Sequence, residues 1–461
     1  MQALWPGSAV VVTAIPLVDR AGETVGVLAL FQPGTAQPSA AQLAFVEALS
    51  GTAAVAIETQ RLLAARKALL DAFIKLVAGA IDAKSPYTAG HCERVPELTV
   101  MLARAACEAK EGPYRDFTLS EEEWESVQIA SWLHDCGKVT TPEYVVDKAT
   151  KLETIYDRLH EVRMRFEVLK RAAEIACWKG VAEGGDRGAT TTALAQAWAT
   201  LDEEFAFVAG CNEGGEFMDP AKVERLRAIA GRTWLRTLDD RIGLSREERA
   251  RKMHVPAPAL PVVEPLLADR PEHVIARPPG DALPADNPWG FRMAVPEYQH
   301  NRGELHNLAI ARGTLTEEER YIINHHIVQT IIMLSQLPFP QHLRNVPEIA
   351  GGHHEKMDGT GYPKRLHAND MSPVARMMAI SDIFEALTAA DRPYKPAKKL
   401  SEALKIMSFM KRDRHVDPVL FDLFLTSGVY LRYAERFLRP DQIDAVDIAP
   451  YLGPVLARAA G

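Results

Sequence analysis

The stretch His353–Pro363 (HHEKMDGTGYP) places the tightest constraint on how this chain can fold. Two neighbouring histidines and an acidic residue precede a loop that has glycines at 359 and 361 and closes with Tyr362 and Pro363. Adjacent histidines at the end of a helix can reach one metal centre, and a glycine-rich turn lets the backbone approach a bound group. The rest of the fold must therefore bring further ligands to this point.

Two other stretches place ligand-type residues on apolar helices. A helix predicted over residues 120–138 carries a buried apolar stripe that ends at His134 and Asp135. A strongly apolar helix predicted over residues 375–390 holds Asp382 in its middle. A buried carboxylate without a partner is costly, so each of these carboxylates is expected to meet a metal or another cation.

A further helix, predicted over residues 317–337, carries the adjacent pair His325 and His326. Its apolar spacing turns His325 inward, and His326, about 100° further round the helix, is the weaker candidate. His91 opens another predicted helix and is an outer candidate. A lone histidine in such a position is more often a structural core residue than a ligand.

The predicted ligands are all imidazoles or carboxylates on the inner faces of helices. They are His134, Asp135, His325, His353, His354 and Asp382, with His91 as an additional site residue. Four imidazoles and two carboxylates are too many for one ion and suit two ions bridged by a carboxylate and a hydroxide. Mixed nitrogen and oxygen ligation predicts iron or manganese, with zinc as an alternative, rather than magnesium.

Composition narrows the class of partner. The chain has 461 residues and a net charge of −8, which argues against a binder of DNA or RNA polymers because phosphate contacts need a basic face. Its five cysteines form no CxxC pair and predict a reducing compartment. We find no run that approaches the ~18 apolar residues of a membrane span. We therefore predict no membrane segment and a cytoplasmic protein.

Changes in pattern along the chain predict its domain organisation. Residues 256–288 contain nine prolines, which makes compact regular structure unexpected there. The predicted parts are a small α/β segment at 1–51, a linker helix at 52–83, one part of a helical domain at 84–152, an insertion at 153–312, and the second part of the helical domain with C-terminal helices at 313–461. The insertion could also receive a protein partner.

The linker helix at 52–83 repeats apolar residues every seven positions, including Leu62, Leu69 and Leu76. This period predicts packing against a second helix, as in a parallel homodimer. The positions three residues further on are weak for a coiled coil. Packing of this helix within its own chain is therefore the alternative.

Taken together, the motifs resemble the HD-GYP family, a branch of the HD phosphohydrolases. The matching residues are GHCERV at 90–95, His134-Asp135 with Gly137-Lys138, the single histidine assigned to His325, HHEKMDGTGYP at 353–363, Asp382, and RPYK at 392–395. The resemblance covers roughly residues 80–152 and 313–425. It implies a mainly α fold, an HD-type helical bundle into which the insertion is placed, and hydrolysis of the bacterial second messenger cyclic di-GMP.

The resemblance also implies roles for individual residues. The six predicted ligands would hold the di-metal centre, and Lys138 and Asp135 are the predicted catalytic residues. The substrate phosphates would face Lys138, Arg392 and Lys395, and the loop of Gly361, Tyr362 and Pro363 would shape the pocket. Tyr87 stands where members with three metals have a glutamate, so two metals are expected.

A second resemblance concerns the N-terminus. The pattern IPLVDRAGETVGVLALF at 15–31, followed by a helix, resembles the C-terminal end of a GAF sensor domain and lacks that domain's first strands and ligand pocket. The alternative is a hairpin without a sensory role.

Three functional hypotheses follow from these patterns. The first is a metal-dependent phosphodiesterase that converts cyclic di-GMP to pGpG or GMP. The second is a non-catalytic receptor for the dinucleotide, which would bind without turnover. The third is an HD phosphohydrolase that acts on another nucleotide, which a substrate panel would distinguish.

Overall fold

The computed structural model of the chain describes residues 9–84, 90–215, 217–281, 283–284, 286–390 and 397–453. Its backbone contacts divide the chain into two compact units, one that ends at Val77 and a larger one that begins at Ala78.

The N-terminal unit is a hairpin followed by a long helix. Strands β1 (Val10–Val18) and β2 (Thr24–Pro33) pair in antiparallel register, and the Asp19 carboxylate accepts hydrogen bonds from backbone N–H groups within the turn. Helix α1 runs without a break from Ala40 to Asp82. The two predicted strands are therefore present, whereas the resemblance to a GAF domain remains a prediction.

Helix α1 is long and apolar enough to cross a membrane by length and composition alone. Its most apolar window has a mean hydropathy of 1.5, and 11% of that window is buried. One such helix is weak evidence, because core helices of soluble proteins pass the same test. The prediction that this chain has no membrane-spanning segment is not confirmed.

Helices dominate the larger unit, which confirms the predicted mainly α class. Among the described residues they are α2 (His91–Cys107), α3 (Glu121–Leu133), α4 (Glu143–Val146), α5 (Leu159–Ala182), α6 (Arg187–Asn212), α7 (Pro220–Ala230), α8 (Arg246–Lys252), α9 (Glu304–Leu308), α10 (Glu317–Ser335), α11 (Val346–Gly351), α12 (Pro373–Thr388), α13 (Leu400–Arg412), α14 (Pro418–Thr426) and α15 (Val429–Phe437). Capping boxes at Ser120–Glu123 and Thr316–Glu319 fix the starts of α3 and α10, as their sequences predict.

One apolar core joins α2 to the four C-terminal helices α12–α15. Phe384 of α12 meets Phe424 of α14 edge to face, with ring centroids 5.0 Å apart, and meets Tyr433 of α15 at 5.7 Å. All three side chains are almost fully buried, and burial of each ring contributes roughly 1.5–3 kcal/mol. This core holds α2 and α12 side by side, and both helices carry candidate ligands.

The segment at 153–312 has a core of its own between α5, α6, α7 and α9. Phe166, Val208 and Leu226 are buried there among other apolar side chains. Two small antiparallel sheets lie in the same segment, β3 (Thr233–Arg236) with β4 (Val262–Pro265), and β5 (Val274–Ala276) with β6 (Tyr298–Asn301). The proline-rich stretch therefore contains short strands, although no compact regular structure is expected there from its sequence.

A buried ion pair ties this segment together. Both carboxylate oxygens of Glu304 on α9 accept hydrogen bonds of 2.9 Å from Arg165 on α5, and one of them also accepts from the Ala268 N–H at 2.9 Å. Glu304 is only 3% exposed, so its charge depends on these donors.

Candidate metal centre

His134 and Asp135 lie at the turn that ends α3. The helix stops at Leu133, four residues before the Gly137 that the sequence places at its end. Gly137 packs on α10, where its N–H donates to the Thr330 hydroxyl at 2.9 Å. A Cβ on Gly137 would lie 1.9 Å from the backbone oxygen of His326, so only glycine allows this approach. The close approach brings the His134–Asp135 turn against the histidines of α10.

On α10 the structure corrects the sequence prediction, because His326 and not His325 joins the cluster. His326 Nε2 lies 3.2 Å from Asp135 Oδ1 and 3.3 Å from His354 Nε2. His325 instead lies beside Tyr321, with ring centroids 5.6 Å apart, and belongs to neither group of ligand atoms found among the described residues.

The physical reason is that α10 is buried on more than one side. Val328 and Ile331 pack against Phe291 of the 153–312 segment, while His326 and Thr330 face the Gly137 turn. An apolar residue on α10 can therefore point towards either neighbour. Apolar spacing alone did not identify the face that meets the ligands.

His353 and His354 follow α11, and their backbone is held against α12. A Cβ on Gly352 would lie 2.8 Å from the Ala375 Cβ of α12, so glycine is required for this contact. The imidazole of His353 lies next to that of His134, with ring centroids 4.9 Å apart. Both histidines of the pair therefore reach the cluster, as the sequence predicts.

Three of these imidazoles are oriented in the same way. Nδ1–H of His134, His326 and His353 each donates to the carbonyl oxygen three residues earlier, at 2.7, 2.6 and 2.7 Å. A carbonyl can only accept, so the proton of each neutral ring is on Nδ1 and the lone pair is on Nε2. This arrangement fixes the tautomer that a metal ligand needs.

The ligand atoms form two groups joined by one carboxylate. The groups are His326, His353 and His354 on one side, and His91, His134 and Asp135 on the other, with the ligand atoms of each group within 4.8 Å of one another. Asp135 Oδ2 lies 3.3 Å from the Nε2 of His134, whereas Asp135 Oδ1 lies 3.2 Å from the Nε2 of His326. Asp382 Oδ1 completes the second group at 3.3 Å from His91 Nε2.

His91 is held in the cluster by Asp135 and by Glu385, and the sequence did not identify Glu385 as a site residue. Its Nδ1 is 2.5 Å from Glu385 Oε2, and its Nε2 is 3.3 Å from Asp135 Oδ2. Glu385 Oε1 in turn accepts from Arg94 at 2.7 Å. Glu385 therefore orients the ring through the nitrogen that faces away from the cluster. The available signal was its position on α12, one turn after Asp382.

Three of these groups have the protonation state that metal ligation requires, whereas His91 differs: burial alone would lower its pKa, but the surrounding carboxylates of Glu385, Asp135 and Asp382 outweigh burial and raise it well above its usual value. Burial lowers the pKa of His353 to about 4, and the neighbouring His134 adds to this effect. Burial, together with His353 and His326, holds the pKa of His354 well below its usual value. Burial alone would raise the pKa of Asp135, but the charge of Lys138 and the hydrogen-bonding contacts of His134 and His326 outweigh burial, so this pKa is well below its usual value. His353 and His354 are therefore neutral and Asp135 is ionised at neutral pH.

The residues present fit divalent metal ions. Four buried atoms of the cluster make no aligned hydrogen bond within the described part of the chain, namely His91 Nε2, His134 Nε2, His353 Nε2 and Asp135 Oδ1. Such atoms are costly unless something pairs with them. Two nitrogens bound to one ion at about 2.1 Å lie roughly 3.0–3.4 Å apart. The 3.3 Å between the Nε2 atoms of His326 and His354 falls in this range.

Several predicted substrate residues lie beside this cluster. Lys138 Nζ is 2.5 Å from Asp135 Oδ2, and its side chain remains 28% exposed. The ring of Tyr362 stacks on His354 with centroids 4.8 Å apart. A Cβ on Gly361 would lie 2.4 Å from the Lys356 nitrogen, so this loop position needs glycine, and Pro363 follows in a buried position. Arg392 and Lys395 lie outside the described residues.

Comparison with known proteins identifies the domain. A sequence profile of the HD domain matches residues 261–420, a range that contains His326, His353, His354 and Asp382. An HD domain implies divalent metal binding, which agrees with the two groups of ligand atoms. The match begins within the segment predicted as an insertion.

Relatives with assigned names match shorter parts of the chain. The 3'3'-cGAMP-specific phosphodiesterase 1 of Vibrio cholerae is 36% identical over 132 residues, 28% of this chain and 30% of the relative. A cyclic di-GMP phosphodiesterase of Pseudomonas aeruginosa is 34% identical over 140 residues, 30% of each protein. The cyclic di-GMP phosphodiesterase response regulator RpfG of Xanthomonas campestris is 34% identical over 146 residues, 31% of this chain and 37% of the relative. The chain thus spans about a third of the length of these relatives. It carries an HD domain over residues 261–420, and the HD-GYP resemblance of its motifs is confirmed.

Proposed function

We propose that this protein is a metal-dependent phosphodiesterase that hydrolyses cyclic di-GMP to pGpG or GMP at a centre of two divalent ions, iron or manganese. The observation that carries the proposal is the Asp135 carboxylate, whose two oxygens face two separate groups of histidines. A carboxylate shared between two sets of nitrogen ligands suits a pair of ions that act on one phosphate.

The substrate class is supported by the relatives. Their names specify cyclic di-GMP or 3'3'-cGAMP, which are both cyclic dinucleotides with two phosphodiester bonds. The site suits such a substrate because the ligand cluster adjoins an open loop, Gly359–Tyr362, that borders a cavity of about 780 Å³. Pockets of about 300–1,000 Å³ are the usual size for small-molecule sites.

The chain's own residues supply positioning and charge. Divalent ions, when bound, lower the pKa of a coordinated water and polarise the phosphoryl group. The Lys138 ammonium beside Asp135 is partly exposed and can donate hydrogen bonds to a phosphate oxygen or to the leaving 3'-oxygen. The backbone bonds to Nδ1 of His134, His326 and His353 hold their Nε2 atoms in place without further reorganisation.

The test is turnover by protein purified without oxygen and loaded with iron or manganese. Cyclic di-GMP is incubated with the protein, and pGpG and GMP are separated by chromatography. A double variant, His134→Ala with Asp135→Ala, should lose bound metal and product together. His160→Ala, an exposed histidine outside the cluster, is the matched control. Absence of product from the metal-loaded wild type would refute the enzyme proposal, and binding without turnover would identify a receptor instead.

We also infer that α1 pairs with α1 of a second copy. Leu62, Leu69 and Leu76 share the seven-residue period and are 63%, 70% and 67% exposed within the chain. Large exposed apolar side chains on one stripe favour a partner helix. Leu62→Glu with Leu69→Glu should turn a dimer into a monomer in analytical ultracentrifugation. A monomeric wild type, or a wild type that sediments with membranes, would contradict this inference.

A further inference from the structure

The cavity beside the Gly359–Tyr362 loop has a wall that lies in the 153–312 segment. Its other walls are the loop itself and the first two turns of α10, from Glu317 to Asn324. The additional wall is the stretch Met293–Pro296. The segment that was predicted as an insertion therefore contributes to a cavity next to the candidate metal centre.

The cavity and the metal centre share a side chain. Tyr362 lines the cavity, and the same ring stacks on His354, whose Nε2 belongs to a ligand group. A substrate whose phosphate lies at the ligand groups would therefore extend its adjoining nucleoside into this cavity.

Three kinds of contact fix the additional wall. The Arg292 N–H donates to the Pro363 carbonyl at 2.8 Å, which joins the wall to the glycine loop. Phe291 is 5% exposed and packs on α10. The guanidinium of Arg277 donates to the Pro296 and Tyr298 carbonyls at 3.1 and 2.9 Å and lies 4.8 Å from the ring centroid of Tyr321. The wall is thus part of the packed structure.

The groups that line the cavity suit a purine base. Tyr321 is one of the side chains that line the cavity, and it is 6% exposed. The exposed carboxylate of Glu317 lines the same cavity. A carboxylate can accept from the two donors on the Watson–Crick edge of guanine, N1–H and N2–H, whereas adenine presents an acceptor at N1.

We propose that this cavity binds one guanine base of the substrate, with Glu317 as the residue that selects guanine over adenine and Met293–Pro296 as the wall that encloses the base. This inference rests on the proposed function, because it assigns a subsite for the substrate named there. A correct pair of hydrogen bonds to one base discriminates by roughly 10- to 100-fold, so Glu317 should give a preference for guanine of about that size.

Two variants test the proposal, each with a matched control. Glu317→Gln removes the carboxylate, and Glu247→Gln makes the same change at an exposed acidic residue in the first turn of α8, outside the cavity. Ala294→Trp fills the cavity from its additional wall, and Ala250→Trp places the same bulk at an exposed alanine of α8. All four positions are exposed, so the fold should be retained, which circular dichroism checks.

The readouts are calorimetric Kd values and kcat/KM for cyclic di-GMP and cyclic di-AMP, with bis(4-nitrophenyl) phosphate as a diester without bases. Glu317→Gln should weaken cyclic di-GMP binding by about 10- to 100-fold and narrow its preference over cyclic di-AMP. For Ala294→Trp, kcat/KM for either dinucleotide, divided by kcat/KM for the small diester, should fall by at least 10-fold. The cause should be a higher KM for the dinucleotide. Both controls should keep the wild-type ratios.

The outcomes separate this inference from the proposed function. One outcome is that the wild type binds cyclic di-GMP without hydrolysing it and that both cavity variants bind it more weakly. This outcome would refute the enzyme proposal and support the base site. Turnover with Kd and kcat/KM ratios unchanged in both cavity variants would refute the base site and leave the enzyme proposal standing. Failure of the metal-loaded wild type to bind cyclic di-GMP would also overturn the base site.

Discussion

Mutation can distinguish two assignments of the ligand on α10, because the residues concerned are adjacent on one helix. The structure assigns this ligand to His326, whereas the sequence predicts His325. His326→Ala should remove a metal ligand, and His325→Ala should not. The two variants lose the same number of atoms from the same part of α10. A difference in metal binding between them would therefore report the direction of the two side chains.

The expected magnitude follows from the geometry. His326 Nε2 lies 3.3 Å from the Nε2 of His354 and 3.2 Å from Asp135 Oδ1, so His326→Ala removes one of three nitrogens from its group. Loss of a residue that merely orients a ligand costs about 10–100-fold in metal affinity. Loss of the ligand itself should cost at least 100-fold, which is about 2.8 kcal/mol. His325→Ala should change metal affinity by less than about 3-fold, or roughly 0.7 kcal/mol.

Metal affinity is measured by competition with a chelator, and turnover of cyclic di-GMP is measured on the same samples. Because alanine could disturb the packing of α10, His326→Gln provides a second variant that retains more of the side-chain volume. Circular dichroism and thermal unfolding establish that each variant is folded. Metal loss in His325→Ala, with metal retained in both His326 variants, would refute the assignment.

Two further predictions concern packing and pH. Gly137→Ala places a Cβ 1.9 Å from the His326 backbone oxygen, so it should lower the free energy of unfolding by about 1–3 kcal/mol and weaken metal binding. Gly210 lies in an open helical position, so the control Gly210→Ala should raise the free energy of unfolding by up to about 1 kcal/mol. Denaturant titration measures both changes. Burial raises the pKa of Glu304, but Arg165 outweighs it and holds this pKa below its usual value of 4.5. The stability from Glu304 is therefore fully present above pH 4.5 and is lost as pH falls through the lower folded-state pKa. Glu304→Gln should cost about 3 kcal/mol at pH 7 and progressively less below pH 4.5, and an equal cost at pH 7 and pH 3 would contradict this reasoning.

The sequence was most informative where a short motif determines local geometry. The adjacent pair His353–His354 and the pair His134–Asp135 each follow a helix, so a change of one position would have moved them out of reach. Asp382 lies within an apolar helix where few cations other than a metal or a histidine could pair with it. The structure brings all five of these residues into the cluster.

The sequence was less informative where burial comes from distant parts of the chain. The sequence predicted His325 instead of His326 because Phe291, which lies 34 residues before His325, covers a second side of α10. The Glu385–His91 contact joins residues 294 positions apart, and no local pattern indicates it. The additional wall of the cavity depends in the same way on where the 153–312 segment folds back, which its composition does not specify.

Metal content and turnover, measured together on protein purified without oxygen, test the central claim most directly. We expect about two equivalents of iron or manganese per chain, conversion of cyclic di-GMP to pGpG or GMP, and loss of both properties in the His134→Ala, Asp135→Ala double variant. Protein that holds no more than one equivalent of metal yet hydrolyses the dinucleotide would contradict the shared role of Asp135. Protein with two equivalents and no product would contradict the proposed reaction.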